Sequence, residues 1–273
     1  GGMKWLAVYV VAGGDIEDNT DIPFRFTACD VAGNTPLART HLELEPIRYQ
    51  APLVINNLAM VSNNVKAANL AKNGDVIEVT FNTTHPVSLS EVKTAGMEAD
   101  FRSDDGMNWT ALYTVVDDQT ADNEFVSLAF TASDCAGNAP VTADESMVVT
   151  DKVKYFAPIT VSGMNIFSSN VNDHSRYAKD GDRITISFST NHDVVLSGVR
   201  VAKTNGSLAV GWTMIHTVKN GDLPDLAWIE FEFDMEDEAG NTLRTESKKT
   251  AGLNVIRYFA PIEAVTAISS NGP

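Results

Sequence analysis

The sequence predicts an all-β protein built of tandem antiparallel β-sandwiches, with about seven strands in each module. Three observations favour this fold: apolar and polar residues alternate along many short segments, no window carries a helical stripe, and one set of motifs recurs at a fixed period. Because side chains alternate with a period of two residues, one face of each strand lies in a core and the other in water, as in a two-layer sandwich.

The internal repeat is about 104 residues long, and its motifs follow one another in a constant order. A tryptophan-containing strand comes first, a D-x-AGN motif second and a tyrosine-to-proline stretch third. The repeat predicts two complete modules at 50–155 and 156–258. It also predicts the C-terminal half of a module at 1–49, and the first strand of a further module or a donated strand at 259–273.

Within the first complete module, alternation predicts strands near 53–61, 75–83, 87–94, 97–103, 108–116, 125–133 and 145–154. Aromatic residues at equivalent positions of the three related segments share one strand face, so we expect them to form the core. These residues are Trp5, Trp109, Trp212, Phe26, Phe130 and Phe233. The cysteines Cys29 and Cys135 fall at different offsets in the repeat, so disulfides do not define the fold.

Charge and hydropathy exclude two classes of partner. The net charge is −16 and the isoelectric point is near 4.6, which argues against nucleic acid because phosphate binding needs lysine and arginine. No apolar run approaches the roughly 18 residues of a membrane helix, so we expect no membrane insertion in this segment. The acidity leaves divalent cations as possible ligands.

The motif order resembles a known family. SNN, then AK-x-GD with an alternating strand, then NWTA-x-YTV and D-x-AGN together resemble the bacterial immunoglobulin-like repeats of large surface proteins, adhesins and some secreted enzymes. The resemblance covers essentially the whole chain. It implies immunoglobulin-like Greek-key sandwiches in an extracellular, cell-surface protein.

Catalysis has no support in the sequence, which contains no G-x-S-x-G, HExxH, phosphate-loop or paired-carboxylate motif. We therefore expect a protein that is not an enzyme and has no catalytic residue. His85 and His192 occupy matching positions after a strand. Without a Cys, His or carboxylate partner at ligand spacing, each is interpreted as a turn residue rather than a metal ligand or base.

No cofactor is expected, with calcium as the one possible exception. The D-x-AGN aspartates are interpreted first as caps of a turn between the last two strands, and the acidic loops before that turn as solvated. Calcium is the alternative in both places, because carboxylate oxygens suit a hard cation. The candidate ligands are Asp15, Glu17, Asp18, Asp117, Asp118, Asp122, Asp30, Asp134 and Asp237.

The hypothesis about function rests on the junctions between modules. Each is a short aromatic and proline-containing stretch without the glycine and serine of a flexible tether. The junction residues are Tyr49, Pro52, Tyr155, Pro158, Tyr258 and Pro261. We expect a semi-rigid stalk or a self-assembling filament, whose partners are neighbouring copies, head to tail or lateral, or a surface ligand. The alternatives are an adhesin that binds carbohydrate or host protein, and spacer modules of a secreted polysaccharide-degrading enzyme.

Overall fold

The computed structural model describes residues 4–35, 46–205, 207–209, 213–246 and 255–262. In these ranges the regular structure consists of β-strands and a single short 3-10 helix at Glu145–Met147. The all-β fold predicted from the alternating pattern is therefore confirmed.

The first complete copy of the repeat contains ten strands, several of them only two residues long. They are β1 (Ile55–Ser62), β2 (Leu70–Ala71), β3 (Val76–Thr83), β4 (Val87–Thr94), β5 (Met97–Glu98), β6 (Phe101–Arg102), β7 (Asn108–Thr114), β8 (Leu128–Asp134), β9 (Val141–Asp144) and β10 (Lys154–Tyr155). Their sheets have the orders β1-β3-β7-β6 and β5-β4-β8-β9, and β10 pairs in parallel with β2.

The second copy repeats this arrangement strand for strand. Its strands are β11 (Val161–Ser168), β12 (Tyr177–Lys179), β13 (Arg183–Thr190), β14 (Val194–Val201), β15 (Thr204–Asn205), β16 (Ser207–Ala209), β17 (Thr213–Thr217), β18 (Phe231–Asp237), β19 (Thr242–Glu246) and β20 (Arg257–Phe259). The orders are β11-β13-β17-β16 and β15-β14-β18-β19, with β20 parallel to β12. The sequence repeat is thus a repeat of structure.

One expected strand, at 145–154, is wrong. The chain instead forms β9 and turns through the 3-10 helix, after which the Val149 N–H donates to Leu58 O in β1 at 2.8 Å; the next strand is β10. The turn begins at Asp144, whose side chain accepts a hydrogen bond from the backbone N–H of Ser146 and so caps the helix.

Contacts divide the chain into two compact units that do not follow the sequence copies. The first unit comprises Gly1–Val61, Val76–Tyr113 and Phe125–Val153. The second comprises Ser62–Asp75, Thr114–Glu124 and Lys154–Pro273, so it includes two loops of the first copy. The module boundaries expected from the repeat stay predictions.

Both copies bury their alternating apolar residues. In β3, Ile77, Val79 and Phe81 are buried, and in β18 the buried residues are Phe231, Phe233 and Met235. The junction tyrosines Tyr155 and Tyr258 are also fully buried. Tyr258 belongs to the hydrophobic core of the second copy. Tyr155 and Tyr258 each lie in a parallel strand pair, β10–β2 and β12–β20.

The expected aromatic core is corrected at two positions. Phe130 and Phe233 are buried, and Trp109 is half-buried with its ring stacked on Phe81 at 6.2 Å between centroids. Trp5 and Phe26 are 89% and 52% exposed, so placing them in a core is wrong. The described residues of 4–35 belong to no extended strand. Trp212 lies outside the described residues.

Candidate functional site at the Phe-Ala-Pro segment

The D-x-AGN motif forms a tight turn in each complete copy, between β8 and β9 and between β18 and β19. The turn was expected between the last two strands, but β10 and β20 still follow it. In the first copy, Asp134 Oδ1 accepts hydrogen bonds from the backbone N–H groups of Ala136, Gly137 and Asn138 at 3.1–3.2 Å. Burial alone would raise the pKa of Asp134, but the Asn138 side chain and these N–H groups hold the pKa below its ordinary value. The carboxylate thus organises the turn.

The asparagine of the motif has a second role, because its side chain reaches the residues before the junction proline. Asn138 Nδ2 donates to Ala51 O at 2.9 Å. Asn241 Nδ2 donates to Phe156 O and Ala157 O, both at 3.1 Å. The turn of each complete copy therefore holds the carbonyl groups of the segment that leads into that copy.

The acidic loop holds the other side of the same segment. At equivalent positions of the repeat, Asp18, Asp122 and Asp225 each accept a hydrogen bond through Oδ1 from a backbone N–H. The donors are Ala51, Ala157 and Ala260, and the distances are 2.8, 2.9 and 2.9 Å. At these aspartates the acidic loop is not merely solvated, as the sequence suggested, but bonded to the backbone.

His192 joins the acidic loop to the turn in the second unit. Its Nε2 lies 2.6 Å from Asp122 Oδ1 and its Nδ1 lies 3.1 Å from Asp237 Oδ2. Only 2% of the His192 side chain is exposed. His192 lies in the bend between β13 and β14, as the sequence suggested, but its side chain also has carboxylate partners 70 and 45 residues away in sequence, beyond the reach of any local ligand spacing.

His85 occupies the same position in the first unit with a different set of partners. Its Nε2 lies 2.9 Å from Ala51 O and 3.6 Å from Asp18 Oδ1, and the side chain is 1% exposed. We call Asp18, His85, Asp134 and Asn138 around Gln50–Ala51 the first clamp. The second clamp consists of Asp122, His192, Asp237 and Asn241 around Phe156–Ala157.

Apolar contacts complete the second clamp. Phe156 is 6% exposed, lies in a small cluster with Leu70 and Ala239, and meets the His192 ring edge-on at 5.2 Å between centroids. Burying a phenylalanine side chain is worth about 1.5–3 kcal/mol. The junction segment is thus fixed by packing as well as by hydrogen bonds.

The turn at Ala239–Gly240 is held by three further side chains of the second unit. Asn64 Nδ2 donates to Ala239 O at 2.9 Å, Lys72 Nζ donates to Gly240 O at 2.8 Å, and Lys66 pairs with Glu236 at 2.7 Å. A Cβ atom at Gly240 would lie 3.2 Å from Lys66 Cε, and φ there is +81°. Both facts favour glycine at this position.

The acidic loops do not gather into a metal site in the part of the chain that the structure describes, where no three His, Cys, Asp or Glu side chains could hold one ion. Asp15 Oδ2 accepts from the Tyr9 hydroxyl, and Asp117 Oδ1 from the Tyr155 hydroxyl, both at 2.7 Å. Glu17 and Asp118 are exposed, and Asp30 caps its own turn through Ala32 and Asn34. Calcium binding stays a prediction.

The second copy, whose sheet orders and D-x-AGN turn are described above, also matches a family model. Residues 160–251 match the family model of the bacterial Ig-like domain. This segment is similar to bacterial Ig-like domains. The copy at 50–155 shares the Ig-like domain's motifs and sheet orders, and therefore its fold.

Solved structures with similarity to the chain include Ig and cadherin ectodomains. The ectodomain of mouse nectin-like molecule 4 (Ig1–Ig3) is 10% identical, with 84% of this chain and 74% of that chain covered and a TM-score of 0.34. The protocadherin γB4 extracellular domain is 10% identical, with 88% and 38% covered and a TM-score of 0.32.

A family 107 endo-fucoidan hydrolase is 14% identical, with 90% and 35% covered and a TM-score of 0.22. No curated protein matches the sequence. Among the described residues, no helix is long and apolar enough to cross a membrane.

Proposed function

We propose that the chain is a length of a non-enzymatic extracellular structural protein, in which tandem Ig-like modules form a semi-rigid stalk at a cell surface. Bacterial Ig-like domains of this type occur in extracellular bacterial proteins, which supports the location. In such arrays, stability is roughly a sum over modules and the contacts between neighbours. The junction between copies therefore determines whether the array is stiff or flexible.

The observation that carries this proposal is the second clamp. The Ala157 N–H is bonded to Asp122, the carbonyls of Phe156 and Ala157 are bonded to Asn241, and Pro158 has a fixed φ. Each hydrogen bond contributes about 1 kcal/mol net, and a flexible tether would have its peptide groups bonded to water instead. A bonded and buried junction favours a stalk over a chain of freely jointed modules.

Stiffness can be measured as the width of a distance distribution between two spin labels. Ser90 and Ser197 are exposed and occupy equivalent positions in the two copies. Both would be changed to cysteine after the exposed thiols of Cys29 and Cys135 are changed to serine. Double electron–electron resonance should then give a single narrow distribution, and Asp122→Ala should broaden it.

The matched control is Asp225→Ala, which removes the same contact to Ala260, C-terminal to both labels. That variant should leave the distribution narrow. A broad distribution in the parent chain, or no effect of Asp122→Ala, would show that the junction is flexible and would count against a stalk.

The filament form of the proposal requires association of stalks through their neighbours, head to tail or side by side. Electron microscopy of the material as isolated from its source, with and without calcium chelation, separates the forms. Long fibres with a longitudinal repeat of two or three modules indicate a filament, and isolated rods indicate a stalk. Loss of fibres on chelation would support calcium at the acidic loops. An adhesin instead predicts saturable binding of a surface ligand by the isolated chain.

A further inference from the structure

We propose that the end of the second copy is a docking surface for the D-x-AGN turn of a further Ig-like module, joined to this chain after Pro261. The surface consists of Asn170, Tyr177, Lys179 and Phe259, and we call it the terminal face. The proposal deepens the stalk, because it names what the second copy binds, and its biological role rests on the proposed function.

The terminal face has the same framework as the part of the first copy that holds the turn at Ala239–Gly240. β12 pairs with β20 as β2 pairs with β10, in the same parallel register. Asn170 Nδ2 donates to Asp182 Oδ2 at 2.7 Å, and Asn64 Nδ2 donates to Asp75 Oδ2 at 2.6 Å. The two sites are therefore built alike. By the same register, the residues Tyr177, Lys179 and Phe259 correspond to Leu70, Lys72 and Phe156.

In the first copy, all four side chains contact the turn. Leu70 and Phe156 are 7% and 6% exposed and form one apolar cluster with Ala239. Asn64 Nδ2 donates to Ala239 O at 2.9 Å, and Lys72 Nζ donates to Gly240 O at 2.8 Å. Two apolar side chains and two donors thus hold a single turn.

At the terminal face the corresponding side chains are not covered. Tyr177 and Phe259 are each 39% exposed, and their rings meet edge-on at 5.3 Å between centroids. Among the described residues, Lys179 Nζ has no hydrogen-bond partner, and Asp182 Oδ2 is the one acceptor of the Asn170 amide group. The face therefore presents two neighbouring aromatic rings and two N–H donors, which is the chemistry of an interaction site.

The fit of the first copy shows which kind of occupant these groups accept. Both donors need carbonyl oxygens close to the apolar side chains, so the occupant must be a narrow turn. Ala239 contributes only a methyl group, and a Cβ atom at Gly240 would lie 3.2 Å from Lys66 Cε. The turn does not bury itself, because Ala136, the counterpart of Ala239, is exposed. The burial of Ala239 to 0% exposure thus comes from the residues that hold it.

The segment that leaves the terminal face identifies the source of the turn. It is bonded as at the junction, since Ala260 N–H donates to Asp225 Oδ1 and Ala157 N–H donates to Asp122 Oδ1, both at 2.9 Å. The same Phe-Ala-Pro sequence occurs at both places, and the first one leads into the copy whose turn is docked. A module that continues from Pro261 in the same way presents its D-x-AGN turn to the terminal face.

The test compares this chain with an extended chain, in which residues 53–155 follow Pro261 in place of residues 262–273. The appended copy carries its own D-x-AGN turn. Hydroxyl-radical footprinting with mass spectrometry measures the exposure of Tyr177 and Phe259, which occur once in either chain. Their modification should fall in the extended chain, roughly in the ratio of the 39% exposed at the terminal face to the 6% exposed at Phe156.

Two buried phenylalanines are internal controls. Phe130 is 0% exposed and occurs in both the original and the appended copy, so its low modification shows that the appended copy folds. Phe156 should stay protected in both chains. Unchanged modification of Tyr177 and Phe259 beside a folded appended copy would overturn the proposal. Protection that already exists in the chain of 273 residues would also overturn it, because the chain would then cover the face itself.

A lysine variant tests whether the D-x-AGN turn is the part that docks. In the extended chain, Lys179→Ala should restore much of the modification of Tyr177, because the hydrogen bond to the turn carbonyl is lost. Lys203→Ala changes another exposed lysine of the same copy and should leave the modification low. Equal results for the two variants would mean that the turn is not the occupant. None of these outcomes alters the stiffness measured between Ser90 and Ser197, so a failure of docking is distinguished from a failure of the stalk.

Discussion

The Oδ1 atom of Asp122 accepts hydrogen bonds from two groups that the sequence gives no reason to associate: the Ala157 N–H at 2.9 Å and His192 Nε2 at 2.6 Å. One carboxylate thus holds the junction segment and the histidine of the following copy. Because the second compact unit includes both the 114–124 loop and the second copy, these contacts belong to one structural unit.

The phenylalanine before Ala157 should contribute strongly to the stability of the second unit. Phe156 is 6% exposed, whereas its counterpart Phe259 is 39% exposed. We expect Phe156→Ala to lower the free energy of unfolding by about 3 kcal/mol and Phe259→Ala to lower it by less, because less apolar surface is lost. Urea unfolding followed by fluorescence measures both, and equal effects would contradict the packing of Phe156.

The turn carboxylate Asp134 predicts that stability depends on pH. Hydrogen bonds lower its folded pKa, so its stabilisation is complete above the unfolded value of about 3.9 and is lost as the pH falls through the folded value. Asp134→Asn should destabilise the chain by about 1 kcal/mol at pH 7, since the bonds to charged oxygen are weakened. The difference between variant and parent should shrink towards pH 3. A difference that is constant with pH would show that the carboxylate charge plays no part.

The fold was predictable from sequence because its signals are local and repeated. Alternation in segments such as β3 and β18, and the recurring D-x-AGN turn, need only neighbouring residues to be recognised. The clamps were not predictable in the same way. Asp122 meets His192 across 70 residues, and a spacing rule finds only partners close in sequence. The one available signal was that Asp18 and Asp122, like Asn138 and Asn241, recur at fixed positions relative to the junction. Trp5 and Phe26 were expected in a core because their counterparts Trp109 and Phe130 occupy the same positions of the repeat. Those counterparts stack on Phe81 of β3.

The hydroxyl of Thr94 is buried without a hydrogen-bond partner among the described residues, and the second copy has a valine at the equivalent position. Its side chain is fully buried and its hydroxyl has no hydrogen-bond partner among the described residues. The equivalent residue in the second copy is Val201, also fully buried. Thr94→Val removes the unsatisfied hydroxyl with little change of shape and should raise stability by about 1 kcal/mol. The reciprocal change Val201→Thr should lower stability by a similar amount. Calorimetry would detect both shifts, and a destabilised Thr94→Val would mean that the hydroxyl has a partner in solution.

Glu91 has a left-handed backbone conformation, and the equivalent residue of the second copy, which has the same conformation, is a glycine. Its φ is +55° at the bulge in β4, while Gly198 has φ +60° at the corresponding bulge in β14. A left-handed conformation costs a non-glycine residue roughly 1–2 kcal/mol, so Glu91→Gly should stabilise the first copy by up to about 1 kcal/mol after the extra entropy of unfolded glycine. Gly198→Ala should do the reverse, because a Cβ there would also lie 2.9 Å from Asp234 Oδ2. Chemical denaturation measures the stability of both variants. If Glu91→Gly lowers the unfolding midpoint, the glutamate side chain stabilises the fold by more than its strained backbone destabilises it.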